Sequence, residues 1–157
     1  MIESQFTSNI HHKLAPDVYK WKIADQFASG VPDAFYRVVG NPLASHLWVE
    51  YKFIKALPKR ATTRIVPNLS PTQIRWLEMA TAAGELAKVV VGVENEVVNR
   101  QVCGFFMSHQ EWVDGITAFE AKSRLMPYAE IARVMRVIMV EEAIPTADYI
   151  STADIAC

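Results

Sequence analysis

Cysteine and histidine are scarce in this chain, and their scarcity limits the chemistry it can support. The 157 residues include two cysteines, Cys103 and Cys157. Two cysteines, one of which is the last residue, predict neither a disulfide framework nor a cysteine zinc site. The four histidines are His11, His12, His46 and His109, and no two have the spacing that places two metal ligands on one helix face. We therefore expect plain thiols and no zinc site.

The chain also lacks a long apolar run. No stretch approaches the roughly 20 consecutive apolar residues of a membrane helix. The first residues, Met1 to Gln5, do not have the composition of a signal peptide. We expect a cytoplasmic protein without membrane association. A length of 157 residues with 51% hydrophobic content predicts one domain over residues 1–157. Its core is expected over about 1–96, with a C-terminal extension of undefined role over about 97–157.

Net charge is small, at −1, but the charges are unevenly distributed along the chain. Between Lys52 and Arg75 every charged residue is basic, whereas acids collect later. This pattern does not indicate a surface that attracts nucleic acid everywhere, but it allows a local basic patch. The candidate DNA-binding residues are Lys20, Lys22, Lys55, Lys59, Arg60 and Arg64. Contact with DNA phosphates is one interpretation of them, and an ordinary solvated surface is the other.

The first part of the chain alternates between helical and strand patterns. Apolar residues four positions apart predict a helix over residues 2–14, ending before Pro16. Alternation and β-favouring residues predict strands over 18–23, 34–39 and 47–54. The last two would form a hairpin across a loop that begins at Gly40. Residues 55–69 show no clear period and predict a basic loop.

The stretch from Ser70 to Gln73 is typical of a helix start. Ser70 at the N-cap, Pro71 at the first helical position and Gln73 at the third form a capping box. This helix should end at Gly84, and the valine-rich run over 88–93 predicts a strand buried on both faces. Beyond it we predict a strand over 97–107, one or two helices within 111–140 divided near Met126-Pro127, and a loosely held tail over 144–157.

Glu50 and Lys52 lie in the predicted strand over 47–54, and Asp33 stands at the start of the strand before it. Because side chains alternate along a strand, Glu50 and Lys52 project to the same face. Asp33 lies close to Glu50 or several residues away from it, depending on the hairpin register, which the sequence leaves open. If they converge, Asp33 and Glu50 can bind Mg²⁺, with the backbone carbonyl of Tyr51 as a third ligand. Lys52 would then hold the attacking water or neutralise charge on a phosphate during phosphodiester cleavage.

These residues also have purely structural interpretations. Aspartate is common in turns after proline, and Glu50 with Lys52 can form a surface ion pair of small energetic value. The apolar residues beside the pair, such as Trp48 and Phe53, argue against a surface pair, because so apolar a strand is typical of the centre of a sheet. We expect the four tryptophans to lie in the core rather than to stack on bases. They are Trp21, Trp48, Trp76 and Trp112.

The order of these motifs resembles that of the PD-(D/E)xK nuclease superfamily, in which Pro-Asp starts one strand and Glu-x-Lys lies on the next. Here the motifs stand as Pro32-Asp33 and Glu50-Tyr51-Lys52. With the capped helix and the valine-rich strand that follow, residues 2–93 are most similar to the VRR-NUC group. The resemblance implies an α/β fold with a restriction-endonuclease-like mixed β-sheet flanked by helices.

The resemblance also implies roles for two more residues. Glu3 matches a further carboxylate beside the metal, and Gln73 matches a glutamine held near the site. Each has a structural alternative, since an acid in a first helical turn is favoured by the helix dipole and Gln73 is explained by its capping box. The implied catalytic set is Asp33, Glu50, Lys52 and Gln73.

The activity implied by the resemblance is that of a magnesium-dependent DNA endonuclease, with Mn²⁺ able to replace Mg²⁺. The VRR-NUC likeness makes branched DNA, a junction or a flap, the expected substrate. A resolvase needs two active sites and therefore a homodimer. The alternative is a non-catalytic nucleic-acid-binding or assembly module that keeps the nuclease fold. The intact Asp33, Glu50 and Lys52 set argues against that alternative.

Overall fold

The computed structural model describes residues 1–24 and 29–142. In chain order its elements are α1 (Glu3–Lys13), β1 (Val18–Lys22), β2 (Ala34–Val38), β3 (Leu47–Ile54), β4 (Arg64–Ile65), α2 (Pro71–Ala82), β5 (Leu86–Val98), β6 (Gln101–Met107), α3 (His109–Asp114), β7 (Ile116–Thr117), α4 (Ala118–Arg124), β8 (Met126–Pro127) and α5 (Tyr128–Glu141). Within the described ranges, no helix has the length and apolar character needed to cross a membrane.

The predicted capping box at the start of α2 is present. The backbone N–H of Gln73 donates to Ser70 Oγ at 3.2 Å, and the backbone N–H of Ser70 donates to Gln73 Oε1 at 2.9 Å. Thr117 and Glu120 cap α4 in the same reciprocal way, at 2.7 and 3.1 Å. These bonds satisfy backbone donors that have no partner inside the helix. The start of α2 is therefore determined by local sequence.

Among the described residues, six strands form a mixed sheet in the order β1-β2-β3-β5-β6-β8. β3 and β5 are parallel, and every other neighbouring pair is antiparallel. Since a parallel pair needs a crossover connection, α2 lies on the path between β3 and β5. β4 and β7 form a separate two-stranded sheet. The predicted α/β class, a mixed sheet flanked by helices, is confirmed.

Each face of the large sheet carries its own apolar core. Phe6 of α1 and Met135 of α5 pack in one core with Tyr51 of β3. Leu77 of α2 and Trp112 of α3 belong to the other core. We call these two sides of the sheet the α1 face and the α2 face. The odd-numbered residues of β3 point to the α1 face and the even-numbered ones to the α2 face, as strand alternation requires.

The C-terminal part differs from the prediction in its boundaries. β5 continues to Val98 and β6 begins at Gln101, because Asn99 and Arg100 form the turn between them with φ of 50° and 64°, as in a two-residue hairpin loop. Between residues 109 and 142 the structure has three helices, rather than one or two, and Gly115 separates the first from the second. The loop over 55–69 contains the short strand β4. The predicted tail over 144–157 lies outside the described residues.

Candidate active site

The hairpin register brings Asp33 to Glu50. In the antiparallel pairing of β2 with β3, Ala34 lies opposite Val49, so Asp33, one residue before β2, falls opposite Glu50. Asp33 Oδ2 accepts a hydrogen bond from the backbone N–H of Tyr51 at 2.8 Å. This bond holds the Asp33 carboxylate at the Glu50 end of β3. Of the two arrangements that the sequence left open, the structure adopts the one in which the carboxylates converge.

Glu50 and Lys52 project together from β3 onto the α2 face. Lys52 Nζ lies 2.9 Å from Glu50 Oε1. Glu50 is only 1% exposed; it lies on a central strand, between β2 and β5, and Gln73 of α2 contacts its carboxylate. A surface ion pair on an edge strand therefore does not describe these residues. Burial of an ionised pair carries a desolvation cost, and such a cost is typical of a functional site.

Gln73 serves the helix cap and the carboxylate at the same time. Its Oε1 accepts the backbone N–H of Ser70 at 2.9 Å, and its Nε2 donates to Glu50 Oε1. The cap needs an acceptor and the carboxylate needs a donor, so the amide has one orientation that satisfies both. The structural and site interpretations of Gln73 are thus compatible, and α2 holds the Glu50 side chain in place.

The turn before Asp33 packs directly against the start of α2. Gly30 has φ of +87°, and a Cβ atom there would lie 2.4 Å from the backbone oxygen of Thr72. Ser29 Oγ also donates to Thr72 Oγ1 at 3.2 Å. Glycine is required at this point both for its left-handed conformation and for the close approach. Gly30 therefore lets the chain segment that carries Asp33 meet the helix that carries Gln73.

The second oxygen of the Glu50 carboxylate, Oε2, is buried and has no hydrogen-bond partner among the described residues. Burial, followed by the nearby charge of Asp33, raises the pKa of Glu50 to about 7, while the bond and charge of Lys52 act in the opposite direction. A partnerless carboxylate oxygen beside a second carboxylate has the hard-oxygen character that Mg²⁺ prefers. The donor set therefore fits a divalent cation.

The further metal ligand implied by the resemblance is Glu3. Glu3 is half-buried in the first turn of α1. Its pKa is raised by burial, lowered by the charge of Lys52 and raised by that of Asp33, so it lies within electrostatic reach of both. In residues 1–24 and 29–142, no three acidic, histidine or cysteine side chains form a ready-made metal cluster. Mg²⁺ commonly takes one or two carboxylates and completes its shell with water and phosphate, so two carboxylates suffice for such an ion.

The predicted DNA-binding residues are exposed, but they do not form one patch. Lys20 and Lys22 pair across the ladder with Tyr36 and Ala34, which are buried in the α1-face core, so these lysines lie on the α1 face, away from Glu50. Lys55, Lys59 and Arg60 are exposed in the loop after β3, and Arg64 lies in β4. Arg64 donates to the backbone carbonyls of Asp114 and Gly115 at 2.9 and 2.8 Å. Arg64 thus has a structural role that the sequence did not indicate.

A hydrogen-bonded chain of one histidine and two tyrosines was not predicted. His11 Nε2 lies 2.6 Å from Tyr36 Oη, which lies 2.7 Å from Tyr51 Oη. Burial, assisted by the charges of Lys20 and Lys22, lowers the pKa of His11 to about 4. Tyr51 is therefore fixed at two points: its backbone N–H is hydrogen-bonded to Asp33, and its hydroxyl is hydrogen-bonded to Tyr36. No sequence signal shows this chain, because its members are 15 and 25 residues apart.

The expectation that all four tryptophans lie in the core is wrong for Trp21. Trp112 is 1% exposed, but Trp21 is 53% exposed. Trp48 and Trp76 are half-buried and in ring contact, with centroids 4.8 Å apart. Trp21 lies on β1, which is an edge strand of the large sheet. Its apolar character predicted burial, whereas its position in the sheet leaves it in solvent.

Comparisons with known proteins add little. No family model matches the chain, and no curated protein matches it. Among solved structures, the chain is similar to Hjc of Archaeoglobus fulgidus, described as a Holliday junction resolvase from an archaeal hyperthermophile. The identity is 16%, the match covers 74% of this chain and 97% of Hjc, and the TM-score is 0.41.

Proposed function

We propose that this protein is a metal-dependent endonuclease that hydrolyses phosphodiester bonds in DNA, acting on branched DNA such as a junction or a flap. The observation that carries the proposal is the convergence of Asp33, Glu50 and Lys52 at one end of the hairpin. Two carboxylates and an ammonium group are the functional groups that metal-assisted phosphodiester cleavage requires. The branched substrate rests on the resemblance of the sequence motifs to the VRR-NUC group.

In this proposal Asp33 and Glu50 hold Mg²⁺, or Mn²⁺ in its place, with the Tyr51 backbone carbonyl and Glu3 as further candidate ligands. A bound ion would polarise the scissile phosphate and lower the pKa of a bound water. The partnerless Oε2 of Glu50 supports this assignment. The backbone N–H of Tyr51 orients the Asp33 carboxylate, and Gln73 orients that of Glu50.

Lys52 supplies the positive charge of the site. Its ammonium group is bonded to Glu50 and is partly open to solvent, with 20% of the side chain exposed. From this position it can favour the ionised carboxylate, hold the attacking water or neutralise charge that develops on the phosphate. Gln73 acts as a positioning residue, since it reaches the reacting atoms only through Glu50.

Cleavage of labelled four-way junction, flap and linear duplex DNA with Mg²⁺ tests the proposal. Wild type should cut a branched substrate, and Lys52→Ala should reduce the rate by about 10²-fold or more. Lys88→Ala is the matched control, because Lys88 is also a mostly buried lysine in an ion pair, with Glu142 at 3.4 Å. Equal activity in wild type and Lys52→Ala, both shown to be folded by thermal melting, would contradict the catalytic assignment.

The alternative, a non-catalytic nucleic-acid-binding or assembly module, makes a different calorimetric prediction. A catalytic site should release or absorb heat on titration with Mg²⁺ or Mn²⁺, and Asp33→Asn should abolish that signal. DNA binding without any metal signal in the wild type would favour the non-catalytic module. A resolvase also needs two active sites, so sedimentation should show a homodimer.

A further inference from the structure

An aromatic row crosses three neighbouring strands on the α2 face. Trp21 of β1 lies opposite Phe35 of β2, and Phe35 lies opposite Trp48 of β3. Residues directly opposite each other in a ladder point to the same face. The rings of Phe35 and Trp48 have centroids 4.7 Å apart, and Trp76 of α2 packs on Trp48 at the inner end. The row therefore runs from the helix-covered part of the sheet to its open edge.

The outer end of this row is exposed and carries positive charge. Trp21 is 53% exposed and its neighbour Tyr19 is 46% exposed. The guanidinium of Arg37 lies over the Tyr19 ring, 4.9 Å from its centroid. A groove of about 420 Å³ borders the row and is lined in part by Phe35, His46 and Trp48. Exposed aromatic faces next to a cation are the features that bind unpaired bases of a nucleic acid strand.

The row is continuous with the candidate active site. Asp33 lies two residues before Phe35, and Glu50 lies two residues after Trp48, so the two carboxylates form the next row on the same face. Two residues along a strand span about 7 Å. A DNA strand whose phosphate lies at the carboxylates can therefore place an adjacent base on the aromatic row.

We propose that Trp21, Phe35 and Trp48 form a stacking platform for unpaired bases of a DNA strand. The platform selects substrates with a single-stranded arm beside the scissile phosphate. The position of that phosphate rests on the proposed function, whereas the stacking itself does not. A second copy of the chain is the less favoured occupant, because a protein covering this face would close the substrate's approach to Asp33 and Glu50, and because Arg37 matches a phosphate better than an apolar partner.

Binding without metal tests the platform independently of cleavage. Fluorescence anisotropy with a labelled 15-nucleotide oligothymidine and with a labelled duplex, both in EDTA, compares wild type with three variants. Trp21→Leu should weaken single-strand binding by roughly 5- to 150-fold and leave duplex binding within about twofold. Trp21→Phe should restore most of the affinity, since it keeps an aromatic face. Phe119→Ala is the control, because Phe119 is also an exposed aromatic residue, 70% exposed, on α4 outside the row.

The outcomes separate the platform from the nuclease activity. The platform is supported if Trp21→Leu loses single-strand binding, Trp21→Phe restores it and Phe119→Ala binds as wild type does. Unchanged binding in Trp21→Leu, or an equal loss on single strand and duplex, overturns it. Sedimentation in which Trp21→Leu turns a wild-type dimer into a monomer also overturns it and assigns the face to a second copy. If the wild type shows Trp21-dependent binding but cuts no DNA with Mg²⁺, the proposed function fails and the platform stands.

Discussion

The side-chain amide of Gln73 joins the N-terminus of α2 to the buried carboxylate of Glu50. Its oxygen accepts the Ser70 N–H at 2.9 Å, and its nitrogen donates to Glu50 Oε1. Helix start and candidate metal ligand are therefore coupled through three atoms of one side chain. A change at Gln73 acts on both, whereas a change at Ser70 acts on the cap and on the 3.0 Å contact of its hydroxyl with Thr72 Oγ1.

This coupling predicts different costs for the two positions. Ser70→Ala removes the cap acceptor and should lower the free energy of unfolding by about 1 kcal/mol. Gln73→Ala also removes a hydrogen bond to a charged group and should cost about 1.5–3 kcal/mol more. Urea denaturation at pH 8 without metal measures both. Equal losses in the two variants would show that the Gln73–Glu50 bond contributes nothing to stability.

Glu50 should be a position where stability and function conflict. Its pKa is raised to about 7 in the folded state, so the folded chain keeps a proton that the unfolded chain releases near the ordinary value of 4.5. The stabilisation is complete below pH 4.5 and is lost as the pH rises through 7. At pH 8 without metal, the free energy of unfolding of Glu50→Gln should therefore exceed that of wild type by up to about 3 kcal/mol. Urea denaturation measures this difference.

Added metal should reverse that order. Wild type should gain stability as Mg²⁺ rises above its dissociation constant, since a ligand that binds only the folded state stabilises it by mass action. Glu50→Gln should gain little, because an amide is a poorer ligand for Mg²⁺ than a carboxylate. Melting temperatures across a Mg²⁺ series at pH 8 give the comparison. Parallel increases in the two proteins would remove Glu50 from the ligand set.

His11 should make the protein sensitive to mild acid. Its pKa is lowered to about 4 from 6.5, chiefly by burial. Between these two pH values the unfolded chain therefore binds a proton at His11 that the folded chain does not bind. The contribution of neutral His11 is intact above pH 6.5 and is lost as the pH falls through 4. Denaturation midpoints between pH 7 and pH 4.5 should fall less steeply in His11→Gln than in wild type, and identical slopes would contradict the prediction.

The basic residues near the site should separate into structural and phosphate-binding groups. Arg64→Ala loses the two bonds to the carbonyls of Asp114 and Gly115 and should lower the melting temperature. Lys59 and Arg60 form no salt bridge among the described residues, so Lys59→Ala and Arg60→Ala should leave the melting temperature unchanged. If they contact DNA, each should lower the slope of log affinity against log salt by about 0.9 on duplex DNA. Unchanged slopes would mark both residues as ordinary solvated surface.

Much of the fold could be predicted because it depends on local sequence patterns. The capping box at Ser70 and Gln73, the alternation along β3 and the valine-rich β5 involve neighbours a few residues apart. The boundaries after Val93 were less accurate. The two short helices do begin with a local signal, the Ser/Thr-x-x-Glu pattern of Ser108 with Glu111 and of Thr117 with Glu120, but helices of six and seven residues are too short to show a clear apolar period. The structural role of Arg64 and the contacts of Tyr36 with His11 and Tyr51 had no local signal, because their partners are distant in the chain.

The sequence by itself determined that Glu50 and Lys52 share a face, because strand alternation is a property of the backbone. It also determined where α2 starts, because its cap is made by adjacent residues. Only the tertiary structure decided that Asp33 lies opposite Glu50, since hairpin register depends on packing across the sheet. It likewise left Trp21 exposed, because the position of its strand at the edge of the sheet, rather than the polarity of the side chain, decides its burial.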